Sequence, residues 1–409
     1  MTAVLEKNTK KVEKPLSKNK LLGIAGLAWM FDAMDVGILS FVIAALASEW
    51  ALTPNEMGWI GSVNSIGMAV GALVFGVFAD KVGRKKIFMI TLILFSVASG
   101  LSALTTTLFA FMALRFLVGM GLGGELPVAS TLVSESVAAK ERGRVVVLLE
   151  SFWAAGWIVS AVIAYFIIPE YGWRVALLIT ALPAFYAIYL RLKLPDSPQF
   201  TSKNTETRSI IQNMKDVWSK KFAKATLMLW IVWFTVVFSY YGMFLWLPSV
   251  MVMKGFSLIQ SFEYVLIMTL AQLPGYFSAA WLIEKAGRKF VLVTYLLGTA
   301  ASAFVFGSAE STAILIASGM LLSFFNLGAW GALYAYSPEQ YPTVIRATGS
   351  GMAASVGRIG GILGPLLVGT LVTAGYEIGW IFGIFCIAIV IGVIAVIFLG
   401  TETKQIELE

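Results

Sequence analysis

The sequence predicts an all-α membrane protein built as two similar halves, each a bundle of six transmembrane helices. Composition, the spacing of apolar runs and an internal repeat carry that expectation. The chain has 409 residues, of which 58% are hydrophobic and only 13% charged. A soluble protein of this size could not bury so much apolar surface in one core, so lipid is the implied solvent. Apolar runs fall at 21–47, 57–79, 87–106, 110–135, 145–168 and 174–192, and then at 225–250, 258–282, 290–307, 312–335, 349–374 and 378–399. Each is near the length of about 20 residues that crosses a bilayer as a helix, and open strands cannot cross it because their backbone groups would stay unpaired.

The repeat has a fixed register. The run Gly76-Val77-Phe78-Ala79-Asp80-Lys81-Val82-Gly83-Arg84-Lys85-Lys86 returns as Ala280-Trp281-Leu282-Ile283-Glu284-Lys285-Ala286-Gly287-Arg288-Lys289, an offset of 204 residues. The same offset relates Glu135 to Glu339, Arg142 to Arg346 and Gly156 to Gly360. Chance and insertion would not hold one spacing over so long a stretch, so the chain is a duplication. The expected organisation is a solvated tail at 1–20, a six-helix bundle at 21–192, a linker at 193–224, a second bundle at 225–399 and a short tail at 400–409.

Charge sets the expected orientation. An even number of spans puts both ends on one side. That side receives the tail lysines, the basic linker, Lys81, Arg84, Lys85, Lys86, Lys140, Arg142, Arg144, Lys285, Arg288, Lys289 and Arg346. The opposite loops carry Glu49, Glu56, Glu170, Glu310 and Glu377 with Arg174 and Lys254. The excess of Lys and Arg then makes both termini cytoplasmic. The net charge of +7 lies between apolar segments rather than on one basic face, so nucleic acid is not an expected partner. No histidine is present, which removes metal-triad, Ser-His-Asp and Cys-His chemistry. Cys386 is the single cysteine and sits in an apolar run. No metal, cofactor or enzymatic activity is expected. The polar start is too long for a secretory signal.

Ionisable residues inside spans mark candidate functional positions, because a charge in lipid must face protein or a watery path. They are Asp32 and Asp35 in the first span, Arg115 and Glu125 in the fourth and Arg358 in the eleventh, with Glu150 and Glu263 nearer span ends. Asp32 and Asp35 share a helical face at i,i+3 and would resist ionising together, which suits a proton relay in a chain without histidine. Pairing of an aspartate with Arg115 is the structural alternative. Arg358, beside Gly357, Gly360, Gly361 and Gly364, would be a counter-ion for an anionic substrate or a partner for a first-span aspartate. Trp153, Trp330, Tyr334, Tyr240, Tyr241 and Phe244 lie well inside spans, where a ligand ring or packing would hold them. Gln272 and Asn326 are further candidate polar contacts. The repeated loops, Asp80, Gly83 and Arg84 with Glu284 and Arg288, and the pairs Glu135–Arg142 and Glu339–Arg346, are read as surface ion-pair networks that gate the halves. Gly119, Gly121, Gly123 and Gly124 serve close helix packing rather than a dinucleotide site, since no strand precedes them.

The paired loops and twelve spans resemble the major facilitator superfamily over nearly the whole chain. Arg115-Phe-Leu-Val-Gly-Met-Gly-Leu-Gly-Gly, Pro195-Asp196-Ser197-Pro198 and Thr401-Glu402-Thr403-Lys404 resemble the sugar-porter pattern, which usually has Glu at the position of Asp196 and Pro at that of Thr401. Asp32-Ala-Met-Asp35 with Arg115 and Glu135 resembles the aromatic-acid/proton symporters. Phe31 to Gly37, Gly124 to Ser130, Tyr240 to Trp246 and Gly357 to Gly361 look like the bacterial niacin transporters, and Trp153 and Trp330 match the ligand-pocket tryptophans of the synaptic-vesicle glycoprotein relatives. The resemblance implies a monomer in the bacterial cytoplasmic membrane that imports nicotinate, with nicotinamide a further candidate, by alternating access and with protons. Arg358 would take the carboxylate, Trp153, Trp330, Tyr334, Tyr240, Gln272 and Asn326 the remainder, and Asp32, Asp35, Arg115 and Glu125 the proton. Another aromatic acid or a sugar is the alternative cargo; of the different classes, a receptor is disfavoured because it would be expected to add a soluble signalling domain, and a membrane enzyme because neither histidine nor a nucleophile constellation is present. Ser239 stands at the repeat position of Asp35, so the proton pair is not duplicated, and the fifth span lacks the Gly-Pro signature of antiporters.

Overall fold

A computed structural model describes residues 18–82, 84–135, 139–182 and 210–404. These residues form helices α1 (Lys18–Glu49), α2 (Pro54–Val82), α3 (Arg84–Ser102), α4 (Leu108–Glu135) and α5 (Ala139–Ile179). After the linker come α6 (Ile210–Val217), α7 (Ala223–Phe244), α8 (Leu247–Met253), α9 (Leu258–Leu270), α10 (Gln272–Ala286), α11 (Arg288–Ser308), α12 (Thr312–Glu339), α13 (Thr343–Thr373) and α14 (Ile378–Leu399). No strand occurs among the described residues. Nine helical stretches there are long and apolar enough to cross a membrane, and α3 and α4 add the shorter apolar segments Met89–Ser102 and Leu108–Gly123.

The helix limits differ from the apolar runs for local reasons. The fifth and sixth spans run on as α5 and change direction at Gly172, whose φ of 81° is open to glycine, three residues after Pro169. The predicted run 258–282 is broken between α9 and α10 because the ring of Pro274 clashes with the carbonyl four residues back, at Leu270. The run 225–250 likewise divides before Pro248 into α7 and α8. The first helix starts at Lys18, inside the expected tail, and α6 lies within the expected linker. Large apolar side chains such as Phe398, Phe109 and Trp380 point outward, at 79%, 80% and 72% exposure, as a lipid-facing surface requires.

The halves pack alike. In the first, α1 lies on α5, and α4 lies on both α2 and α3; in the second, α7 lies on α13, and α12 lies on both α10 and α11. The repeat is visible atom by atom. A side chain at Gly156 would strike the Met30 carbonyl and the Met34 amide, and one at Gly360 the Phe234 carbonyl and the Phe238 amide, every residue displaced by 204. The seam between halves follows the same symmetry: α2 packs on α13, and α5 on α9 and α10.

Glycines bring α2 and α4 into backbone contact. Gly67 and Gly71 on one helix face Phe116 and Met120, while Gly119 and Gly123 on the other face Asn64 and Met68. Each helix carries glycines four residues apart, the pattern that lets apolar helices associate in lipid without a hydrophobic driving force. Gly121, on another side of α4, meets Thr91 and Phe95 of α3. Replacing Gly123 by Val should therefore separate α2 from α4 and cost about 1–3 kcal/mol or more. A thermal-unfolding midpoint in detergent well below that of the unmodified protein is the expected result, and no shift would show that the contact bears no load.

Candidate functional site

Charges within the first half meet inside a sealed cluster. Asp35 on α1 and Arg115 on α4 are each fully buried. Arg115 Nη1 reaches Asp35 Oδ2 at 3.3 Å, and its other nitrogens donate to Ser99 and Ser102 on α3. Ser99 Oγ donates to Asp35 Oδ1 at 2.5 Å and lies 2.7 Å from Thr180 Oγ1. The guanidinium also sits 5.5 Å from the Phe111 ring centroid. Donors and acceptors are matched, which is what makes a buried ion pair tolerable.

A second group of residues gathers where the halves meet. Four tryptophans form its walls: Trp29 (α1), Trp153 (α5), Trp233 (α7) and Trp330 (α12). Trp153 and Trp330 lie nearly parallel, 18° apart, with centroids separated by 6.3 Å. Trp29 tilts against Trp153 at 5.5 Å, and Tyr334 meets Trp233 at 4.9 Å and Trp330 at 5.8 Å. Tyr240 packs 4.9 Å from Trp330 and accepts a 2.7 Å hydrogen bond from Trp153 Nε1. Trp233 Nε1 donates to Ser337 Oγ.

Charged groups line this cage on two sides. Arg358 on α13 is half-buried and points across the seam toward Met68 Sδ of α2, 3.6 Å away. Its guanidinium is also within reach of the Tyr241 hydroxyl, and the same hydroxyl faces Asp32 on α1. Glu150 on α5, one turn before Trp153, is fully buried and faces the indole N–H groups of Trp29 and Trp330, without a close hydrogen bond to either. Tyr334 stands within electrostatic reach of both Glu150 and Arg358.

At the end of the molecule bearing the basic loops, Arg288 bridges Glu284 at 2.9 Å and Glu339 at 3.0 Å. Glu402 accepts from the backbone amides of Arg288 and Lys289, capping the positive start of α11. Thr403 Oγ1 donates to Glu339. Glu284 also accepts from the backbone N–H of Arg144, which ties the second half to the first.

The sequence pattern of the Major Facilitator Superfamily matches residues 25–277 and residues 264–408. The chain belongs to the major facilitator superfamily. Within this superfamily it is 67% identical, over 97% of its length and 99% of the other chain, to a Bacillus subtilis (strain 168) protein whose name provisionally assigns it to niacin/nicotinamide transport, NiaP. It is 47% identical, over 95% of each chain, to the niacin transporter NiaP of Acinetobacter baylyi. Among solved structures, the proton:xylose symporter XylE, in complex with 6-bromo-6-deoxy-D-glucose, superposes with a TM-score of 0.76 over 95% of this chain and 96% of that one, at 18% identity. That likeness speaks for the fold.

In this facilitator the predicted site residues divide into groups. Asp35 and Arg115 meet each other. Trp153, Trp330, Tyr334, Tyr240, Asp32 and Arg358 gather around it. Gln272 and Asn326 are buried on α10 and α12 with no hydrogen bond from their carboxamides, and no described contact joins them to the tryptophans. Glu284, Arg288 and Glu339 form one network, but not on the surface: the Arg288 and Glu339 side chains are only 3% and 8% exposed. Arg346 donates to the Pro338 and Tyr341 carbonyls, stapling the α12–α13 turn, and Arg288 pairs with Glu339. Gly83 and the side chains of Asp80, Arg84, Glu125, Glu135 and Arg142 lie outside the described residues. Sequence reading did not single out Trp29 and Trp233. They are related by the repeat offset of 204, a signal that was available.

The Asp35–Arg115 cluster predicts a specific stability pattern. Asp35→Ala should lower stability by about 3–5 kcal/mol by stranding a buried cation, and the double replacement Asp35→Leu with Arg115→Leu should recover most of it. Thermal unfolding in detergent would check this; equal losses in the single and double variants would contradict it.

Proposed function

We propose that this transporter imports nicotinate across the bacterial cytoplasmic membrane, with nicotinamide as a weaker cargo, and that the tryptophan cage with Arg358 is the binding site. The observation that carries the reading is the near-parallel Trp153–Trp330 pair beside a half-buried arginine. Two near-parallel indoles can flank a flat pyridine ring once they part far enough to admit it. Arg358 would take the carboxylate as a charge-assisted pair, and Tyr334, Tyr240 and Tyr241 would complete the walls. The names of the relatives in Bacillus and Acinetobacter support this choice of cargo. Benzoate is the natural competitor, since a benzoate transport protein of Acinetobacter baylyi is 29% identical over 92% of this chain.

The site's position at the seam supports alternating access: the two bundles, 21–192 and 225–399, would rock about it, parting α2 from α13 or α5 from α10 in turn. Glu284, Arg288 and Glu339, with Asp80, Gly83, Arg84, Glu135, Arg142 and Arg346 of the corresponding loops, would latch the cytoplasmic side. Both termini would be cytoplasmic, by the distribution of Lys and Arg. Asp32 and Asp35, with Arg115 and Glu125, would couple uptake to protons. The protein would act as a monomer, without catalysis.

Proteoliposomes given an inward proton gradient should accumulate radiolabelled nicotinate saturably, with nicotinamide competing and glucose not. Arg358→Ala should weaken nicotinate binding about 10- to 100-fold, the value of a hydrogen-bonded charge. Unchanged affinity in that variant would remove Arg358 from the site; transport of glucose or benzoate but not nicotinate would discard the cargo.

A further inference from the structure

Glu150 has no part in the contacts assigned so far, and its setting is unusual. It is fully buried, and neither carboxylate oxygen has a hydrogen-bond partner among the described residues. The groups facing it are the indole N–H groups of Trp29 from α1 and Trp330 from α12, and the hydroxyls of Tyr334 from α12 and Tyr276 from α10. The Tyr276 hydroxyl is itself buried and unpartnered. No lysine or arginine pairs with Glu150 among the described residues, and Tyr334 lies within electrostatic reach of both Glu150 and Arg358. An unpaired carboxylate anion in so dry a place would cost several kcal/mol, whereas the neutral acid costs far less. The neutral acid, however, carries an O–H that needs an acceptor.

We propose that Glu150 recognises the ring nitrogen of the substrate, donating its carboxyl O–H to the nitrogen lone pair. The inference rests on the cargo reading above and deepens it. A pyridine carboxylate has two polar ends on one flat ring, and the cage offers one counterpart to each: Arg358 for the carboxylate and Glu150 for the nitrogen, with Tyr334 within electrostatic reach of both. Glu150 lies i,i+3 from Trp153, on the same face of α5. The donated proton stays in the hydrogen bond or moves to the nitrogen to give a carboxylate–pyridinium pair; either way one proton and one substrate anion share the site. Benzoate has a C–H where the nitrogen stands and would leave the Glu150 O–H without an acceptor. A site built around a polar group rejects the analogue that lacks it.

The test is competition binding on the purified, full-length protein in detergent, with radiolabelled nicotinate displaced by unlabelled nicotinate or benzoate. The unmodified protein is expected to favour nicotinate by about tenfold or more, the worth of one buried hydrogen bond. Glu150→Leu should bring the ratio near one by weakening nicotinate while benzoate binding persists. Glu150→Gln, whose amide N–H can donate in place of the acid, should keep most of the preference. A wild-type ratio in Glu150→Leu would overturn the assignment, as would loss of benzoate binding in both variants, which would make Glu150 a structural residue. Collapse of the ratio in Glu150→Gln as complete as in Glu150→Leu would also overturn it. An unmodified protein without preference for nicotinate would overturn the cargo reading along with it, whereas a preference that survives Glu150→Leu removes Glu150 alone.

Discussion

Hydrocarbon cannot solvate a charge, and the arrangement of this protein follows from how its few intramembrane charges are answered. Two solutions occur side by side. Asp35 and Arg115 are closed into a serine-lined cluster in which nearly every donor meets an acceptor. Glu150 and Arg358 are held among aromatic rings at the seam, with their hydrogen-bonding capacity largely unspent inside the protein. The first solution leaves neither buried charge unanswered. The second is what a site for a small polar ion needs, because a ligand can supply the missing partners.

Duplication explains why the seam is the place for such a site. Each half uses the same helix pairings, down to Gly156 on Met30 and Gly360 on Phe234. Two bundles of this kind meet along α2 with α13 and α5 with α10, and residues from both halves converge on the axis between them. Trp29 and Trp233 occupy equivalent positions in the two copies, while Trp153 and Trp330 do not: the repeat positions are Gly357 and Leu126. The cage thus combines a symmetric frame with asymmetric contents, as a site for an asymmetric molecule would.

The fold was legible in the sequence because lipid imposes length and polarity on every span, and because the repeat offset survives in residues that do the same job twice. Breaks within spans were harder to see: Pro248 and Pro274 announce them, but apolar content alone runs through them. Within the site, the mid-span residues Trp153, Trp330, Tyr240 and Arg358 stood out as costly in lipid, and the structure gathers them. The partnership of Asp35 with Arg115 was one of two readings that spacing allowed, since spacing along one helix says nothing of which neighbour faces it. Glu150 was visible as an ionisable residue inside a span but received no role, because it lies nearer the span end; only the packing of α1, α10 and α12 over it shows that it is dry. The buried latch around Arg288 resembled a surface network for the same reason, as sequence gives no view of the tail strapped across it by Glu402 and Thr403.

The account turns on a flat anion lying between Trp153 and Trp330. An experimental structure of the protein with nicotinate bound would test this most directly. The expected result is ring density between those two indoles, which are 6.3 Å apart by centroid without it and wider apart with it, and the carboxylate on Arg358. Nicotinate bound elsewhere, or a cage unchanged and filled only by its own side chains, would contradict it.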